Sequence, residues 1–242
     1  MNLIIDIGNT ATKLAVFQLD KIIKVQTVAT KGMVFEVEKL LEKFSEIRQG
    51  LLSTVRTMDN SEVETLQKLL PIKILEASFK LPFENRYDTP LTLGVDRLAL
   101  MAAAVKQCPN KNVLVIDAGS CITYDFMDAD QNYLGGAISP GLEMRYKSLE
   151  AFTSNLPLLP KSIPNQRIGS STEASIHSGV VHGVLQEIEG TIKVYQNKYP
   201  DLTVILTGGD ADFLCKQFKI SIFANSIFLL EGLNFLLEFN SN

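Results

Sequence analysis

Leu3-Ile4-Ile5-Asp6-Ile7-Gly8-Asn9-Thr10 opens the chain, and Leu114-Val115-Ile116-Asp117-Ala118-Gly119-Ser120 repeats its pattern near the middle. Each copy is an apolar, β-like run that delivers an Asp, then a Gly, then a small hydroxyl residue into a tight turn. The two aspartates lie about 110 residues apart, the length of a small domain, so the repeat predicts two related units. Two such strand-turn units facing each other across a cleft can hold a polyphosphate, and phosphoryl transfer is the leading chemistry.

Working outward from the first copy, Thr12 to Phe17 resumes a strand after the Gly8-Asn9 turn signal, which predicts a β-hairpin, and Ile22 to Val28 reads as a third strand. Val34, Val37, Leu40, Leu41 and Phe44 form a helical stripe. Strand-like Gly50 to Val55, helical Asn60 to Leu70 and strand-like Ile72 to Leu75 follow, the alternation of an α/β sheet. A loop carrying Pro90 and Gly94 leads to a buried helix at Leu98 to Val105. From Val113 the order repeats: strand, turn, strand from Cys121 to Phe126, a loop at Gly135 to Gly141 and a helix at Leu142 to Thr153. A Pro-rich connection, a long helix at Thr172 to Tyr199, a strand at Leu202 to Leu206 and a helix at Ile227 to Phe239 complete it. The expected domains are 1–112, with the first turn, and 113–242, with the second, the final helix being free to pack back on the first domain.

The composition fits an ordinary globular chain: 242 residues, 46% of them hydrophobic, suffice for a substantial core. With 23 basic and 27 acidic residues the net charge is −4 and no block of like charge occurs, which argues against nucleic-acid binding. Cys108, Cys121 and Cys215 form neither a disulfide framework nor a zinc pattern and are expected as buried thiols. Asp6 arrives too early for a signal peptide, and no apolar run approaches the ~20 residues of a membrane span. A cytoplasmic location is expected.

The first turn, Asp6-Ile7-Gly8-Asn9-Thr10-Ala11-Thr12-Lys13, combines a glycine that admits a close phosphate, donors at Asn9, Thr10 and Thr12, a compact cation at Lys13 and a carboxylate, Asp6, suited to hydrated magnesium. A plain hairpin turn would need only Gly8-Asn9. In the second copy Asp117 and Ser120 suit a cation and one phosphate oxygen. Thr207-Gly208-Gly209-Asp210 is a third glycine turn after a strand, fit to pack on a base or ribose. No Gly-Lys-Ser/Thr phosphate loop and no Gly-x-Gly-x-x-Gly after a strand is present, so those nucleotide folds recede. Gly94-Val95-Asp96-Arg97 sets a carboxylate at a helix start, where a general base can stand, with Arg97 to orient an anionic substrate. Asp96 as a helix cap and Arg97 as a surface residue is the plainer reading of the same pair. His177 and His182 do not share a helix face as metal ligands would. Phe152, Tyr195, Phe223 and Phe228 read as core.

Together these motifs resemble the type III pantothenate kinases of the acetate kinase, sugar kinase, Hsp70 and actin superfamily, over nearly the whole chain. Asp6 to Lys13 is similar to their first phosphate motif, Gly94 to Arg97 to their pantothenate motif, Asp117 to Ser120 to the second phosphate motif and Thr207 to Asp210 to the adenosine motif. Tyr87 with Pro90, and Gly135 to Leu142, match in order and spacing. Ser120 stands where the family more often has Thr, with the hydroxyl kept.

The resemblance implies two actin-like, ribonuclease H-like domains facing across a nucleotide-binding cleft. It also implies ATP-dependent phosphorylation of pantothenate to 4′-phosphopantothenate, the first step of coenzyme A synthesis. Asp96 would accept the proton and Asp117 would bind a monovalent cation, potassium or ammonium, with magnesium accompanying ATP. Ser120, Gly208, Gly209 and Asp210 would join Asp6 to Lys13 in holding ATP. Tyr87, Gly94 to Arg97 and Thr172 would line the pantothenate site of a homodimer. A superfamily kinase for another small alcohol, or a non-catalytic regulator on the same fold, are the competing expectations.

Overall fold

Asn2–Ile7 is buried at every position because it becomes β1, the central strand of a five-stranded sheet, covered on both faces. The computed structural model describes residues 1–9, 11–56, 60–218 and 222–241, so Thr10 of the first turn lies outside the described residues. The predicted hairpin forms: β2 (Thr12–Gln18) returns antiparallel with Asp6 opposite Lys13. β3 (Lys21–Val28) follows antiparallel to β2, across a bulge at Val16 and Phe17. The crossover helices α1 (Met33–Lys43) and α2 (Asn60–Leu69) lead to β4 (Gln49–Thr54) and β5 (Ile72–Ile74), which extend the other side in parallel, in the order β3-β2-β1-β4-β5.

Pleat alternation decides which layer each face meets. Leu3, Ile5 and Ile7 pack with Leu14, Val16 and Leu52 against Met33, Val37 and Leu40 of α1 and Leu66 of α2. Ile4, Ala15, Phe17 and Leu51 belong to a separate cluster on the opposite face. Each fully buried aliphatic contributes about 1.5–3 kcal/mol, so β1 anchors both layers. Further along, β6 (Glu84–Asn85) pairs in parallel with Asn132 and Tyr133, and α3 (Val95–Gln107) follows a 3₁₀ turn at Pro90–Thr92.

The second sheet repeats the plan. β7 (Val113–Ala118) and β8 (Cys121–Met127) are antiparallel, and β9 (Asn132–Pro140) lies beyond β8. Then come α4 (Leu142–Ala151), α5 (Thr172–His177) and α6 (Gly183–Lys198). They precede β10 (Thr203–Thr207), which is parallel to β7; after α7 (Ala211–Cys215), β11 (Phe223–Ala224) is parallel to β10. The order β11-β10-β7-β8-β9 mirrors that of the first sheet, with β7 in the place of β1. Leu114, Ile116, Phe126 and Leu206 face Tyr146, Ile176, Val184 and Ile188 from the helices.

The closing helix, α8 (Phe228–Phe239), buries Leu230, Leu233, Leu236 and Leu237 in the same cluster as Ile4, Phe17 and Ala99. A Cβ on Gly232 would sit 1.9 Å from the Ala99 carbonyl, so only glycine lets α8 lie this close to α3. By contacts the chain divides into residues 1–109, 131–133 and 227–242, and residues 110–130 and 134–226. The expected division near residue 112 is thus crossed again by the short segment paired with β6 and by α8. The return of α8 is the one the sequence reading allowed for; the crossing at 131–133 rests on long-range pairing that linear order does not display.

Four local expectations are corrected. Gly135 to Gly141 is not a loop: β9 runs through Pro140, and Gly136 lies so close to β8 that a Cβ would meet the Tyr124 carbonyl at 1.5 Å. Glycine there permits strand contact instead of marking a turn. The long helix at 172–199 is interrupted by a π-type turn at Ser178–His182, where the Ser178 hydroxyl bonds the Arg167 carbonyl and Oγ lies 3.1 Å from His182 Nδ1. Phe152 and Phe223 are 87% and 69% exposed, outside the core, while Phe228 is fully buried and Tyr195 partly so. The three cysteines stand outside any disulfide and are only half-buried.

Candidate active site

Asp6 is next to last in β1, with Lys13 opposite it on β2 and Ser53 opposite it on β4. Burial pushes its carboxyl up to about 6; the Lys13 charge and the neighbouring Ser53 hydroxyl pull it down, and the charge of Asp96 pushes it further up. Two carboxylates from distant parts of the sequence are therefore close enough to feel each other. The turn itself is closed by the Gly8 amide donating to the Ala11 carbonyl at 3.1 Å, leaving Asn9 exposed. Ile7 and Thr12 are buried, as Asp6 is, and the Thr12 hydroxyl lies 3.1 Å from that of Thr30.

Asp96 sits in the first turn of α3, at the positive end of the helix, and its Oδ1 accepts the Arg97 amide at 2.9 Å. A Cβ on Gly94, the residue before the helix, would lie 2.4 Å from that same oxygen and would push the Asp96 carboxylate aside. The glycine of the Gly-Val-Asp-Arg motif thus makes space for the carboxylate. Arg97 is not a surface residue; it is 5% exposed, with its guanidinium 5.5 Å from the ring centre of Tyr87 and 5.9 Å from that of Tyr133. Tyr133 was not legible as a site residue, being neither in a motif nor near the others in sequence.

In the second unit Asp117 lies opposite Thr123 on β8 and Thr207 on β10. Gly208 has φ +97°, and a Cβ there would meet Asp117 Oδ1 and the Ala118 carbonyl at 2.3 Å, while the Asp210 amide donates to Ala118 at 2.9 Å. The second Asp-x-Gly turn and the Thr-Gly-Gly-Asp turn are therefore in contact, as one constellation at the ends of β7 and β10. Gly209 is open to solvent, Ser120 is exposed, and Asp210 is ion-paired with Lys161. Gly141 braces the turn from the other side, its amide bonding the Ser120 carbonyl at 3.1 Å.

Thr172 opens α5, exposed, on a groove of about 910 Å³ that it lines with Arg145, Ser148, Leu149 and Ser175. None of Asp117, Ser120 or Gly208 to Asp210 lines that groove. Arg145 is pinned there by Glu187 at 2.5 Å and Ser139 at 2.9 Å. Among the described residues, no three or more His, Cys, Asp or Glu side chains form a metal-binding group, and no helix is long and apolar enough to cross a membrane.

The family model for type III pantothenate kinase matches residues 2–194. The chain belongs to the type III pantothenate kinase family. A family member from Christiangramia forsetii is 54% identical over 241 residues, covering 99% of each chain, and one from Flavobacterium johnsoniae is 45% identical over 234 residues, covering 97% of this chain and 96% of that one. Among solved structures, a Campylobacter jejuni protein provisionally described as a Baf family transcriptional activator superposes with a TM-score of 0.64 at 24% identity, over 98% of each chain. The activator of 2-hydroxyisocaproyl-CoA dehydratase from Clostridium difficile, solved with ADPNP, gives 0.53 at 14% identity, over 99% of this chain and 93% of that one. At such identities these two show the fold alone. The family member described here has two related actin-like α/β units.

Proposed function

We propose that the chain transfers the γ-phosphoryl group of ATP to the hydroxyl of pantothenate, the first step of coenzyme A synthesis, with Asp96 as the general base. The observation that carries this reading is the placement of Asp96: at a helix N-terminus, given space by Gly94, beside the buried Arg97 and within electrostatic reach of Asp6. The acceptor hydroxyl gives its proton to the Asp96 carboxylate as its oxygen bonds to the γ-phosphorus, and the bond to the β-γ bridging oxygen breaks to release ADP. Positioning and charge neutralisation supply most of the acceleration in such transfers. Arg97 and Tyr87 orient the acidic substrate, with Thr172 contributing from its groove. Asn9, Thr10, Lys13 and the backbone from Ile7 to Thr12 engage the phosphates. Ser120, Gly208, Gly209 and Asp210 engage the rest of the nucleotide.

Both expected cations suit the donors present. Asp6 and Asp96 are hard oxygen donors whose mutual repulsion favours a cation beside them, and magnesium commonly uses one or two carboxylates together with substrate phosphates. Asp117 Oδ1 and the Ala118 carbonyl converge where Gly208 lacks a Cβ, an all-oxygen set that suits potassium or ammonium. Bound magnesium would neutralise charge on the β- and γ-phosphoryl oxygens.

We further propose a homodimer, supported by the exposed apolar side chains Ile138, Met144, Phe152 and Ile168 of the second unit. The metabolic role favours a cytoplasmic location, and the net charge of −4 disfavours nucleic acid as a partner. The test is turnover with pantothenate, ATP and magnesium in potassium and then in sodium. Phosphopantothenate in potassium, with less in sodium, is the expected outcome; none under either condition overturns the reading.

A further inference from the structure

Burying an arginine is costly unless its surroundings replace water, and Arg97 is buried against two tyrosine rings. The rings are themselves ordered: Tyr87 and Tyr133 stack with centres 6.1 Å apart and planes within 16°, and Phe83 meets Tyr133 edge-on at 6.3 Å. Tyr133 is completely inaccessible to solvent. Its carbonyl helps to hold the opposing segment, accepting the Arg86 amide at 3.0 Å while the neighbouring Gln131 carbonyl accepts the Glu84 amide at 3.1 Å. The Tyr87 amide then donates to Asn85 Oδ1 at 3.0 Å, turning the chain just where Tyr87 stacks.

We propose that Tyr133 is a positioning residue of the acceptor site: its ring and backbone together hold Tyr87 and the Arg97 guanidinium in the arrangement that receives the anionic group of the substrate. A side chain in the β6-paired segment thereby sets the geometry of a motif more than thirty residues away in the sequence. The kinetic part of this proposal rests on pantothenate being the acceptor.

The test compares Tyr133→Leu and Tyr133→Phe with the unaltered chain. Tyr133→Leu should raise KM for pantothenate by about tenfold, the size of one modest interaction, with KM for ATP within about twofold. Tyr133→Phe keeps the ring and should restore the original KM. A general packing defect would instead disturb both substrates and would not single out pantothenate. The second readout needs no turnover. The Nε–H resonance of Arg97 in the ligand-free chain, assigned by its loss in Arg97→Lys, should be shifted upfield by the ring currents. An Arg97 resonance at the free-arginine position, or an unchanged pantothenate KM in a folded Tyr133→Leu chain, overturns the proposal. If the unaltered chain does not phosphorylate pantothenate, the functional reading fails, and the Arg97 resonance, which should move back downfield in Tyr133→Leu and overturns the proposal if it stays put, still decides whether Tyr133 holds Arg97.

Discussion

The two Asp-x-Gly turns occupy equivalent places in equivalent sheets, yet they are constrained in different ways. Around the first, the constraint is electrostatic: Asp6 is buried between Lys13 and Ser53 and feels Asp96. Around the second it is steric: Gly141 and Gly208 press on the turn so closely that a Cβ on either would lie 2.1 Å and 2.3 Å from the carbonyls of Gly119 and Ala118. The glycines inside the turns are less demanding. A Cβ on Gly8 would come within 3.3 Å of the Ala11 carbonyl, and one on Gly119 only within 3.8 Å of its neighbours. The two turns share a backbone plan, but the first is set among charges and the second is closely packed.

The largest expected effect tests the electrostatic side. Asp96→Asn should fold and bind ATP yet lose about a thousandfold in kcat, within the range of a lost general base; unchanged turnover would remove Asp96 from that role. Next, Gly208→Ala should destabilise the second unit by about 3 kcal/mol or more, because it adds both a backbone clash and a forbidden φ, whereas Gly8→Ala should cost about 1 kcal/mol. Denaturant midpoints compare the two, and equal losses would dissolve the distinction between the turns.

A smaller effect concerns Asp6, whose folded value of about 6 stands above the ordinary 3.8. A raised carboxyl favours the folded state most below pH 4 and loses that advantage as the pH rises through 6, a swing of about 3 kcal/mol. Asp6→Asn should therefore melt higher than the parent at pH 8 and not at pH 4, even as it loses activity. A melting advantage of the same size at both pH values would show that Asp6 carries no such cost. The smallest effect belongs to the second turn: Asp117→Asn should lower kcat by about tenfold in potassium and make sodium and potassium equivalent. A retained preference for potassium would place the cation elsewhere.

Much of this was legible in sequence because it depends on local pattern. The β1–β2 hairpin followed from an apolar run and Gly8-Asn9, and the helices α1, α2 and α8 from their apolar stripes. The Gly-Val-Asp-Arg motif stood out by its residue types. The errors have one source, since a glycine or an aromatic residue looks the same in sequence whatever it meets in space. Gly136 was read as a loop because nothing local shows the Tyr124 carbonyl against it, and Phe152 was read as core because its exposure depends on the helices around it.

By itself the sequence determined the family, the duplicated strand-turn units and the chemical groups, because those reside in residue type and spacing. Tertiary structure alone decided which groups meet: Asp6 with Asp96, Gly208 with Asp117, Arg97 with Tyr133, and α8 with α3 across more than a hundred residues. The reason is physical. Charge coupling, ring stacking and steric exclusion act over a few ångströms of space, and sequence separation says little about who will be within that reach.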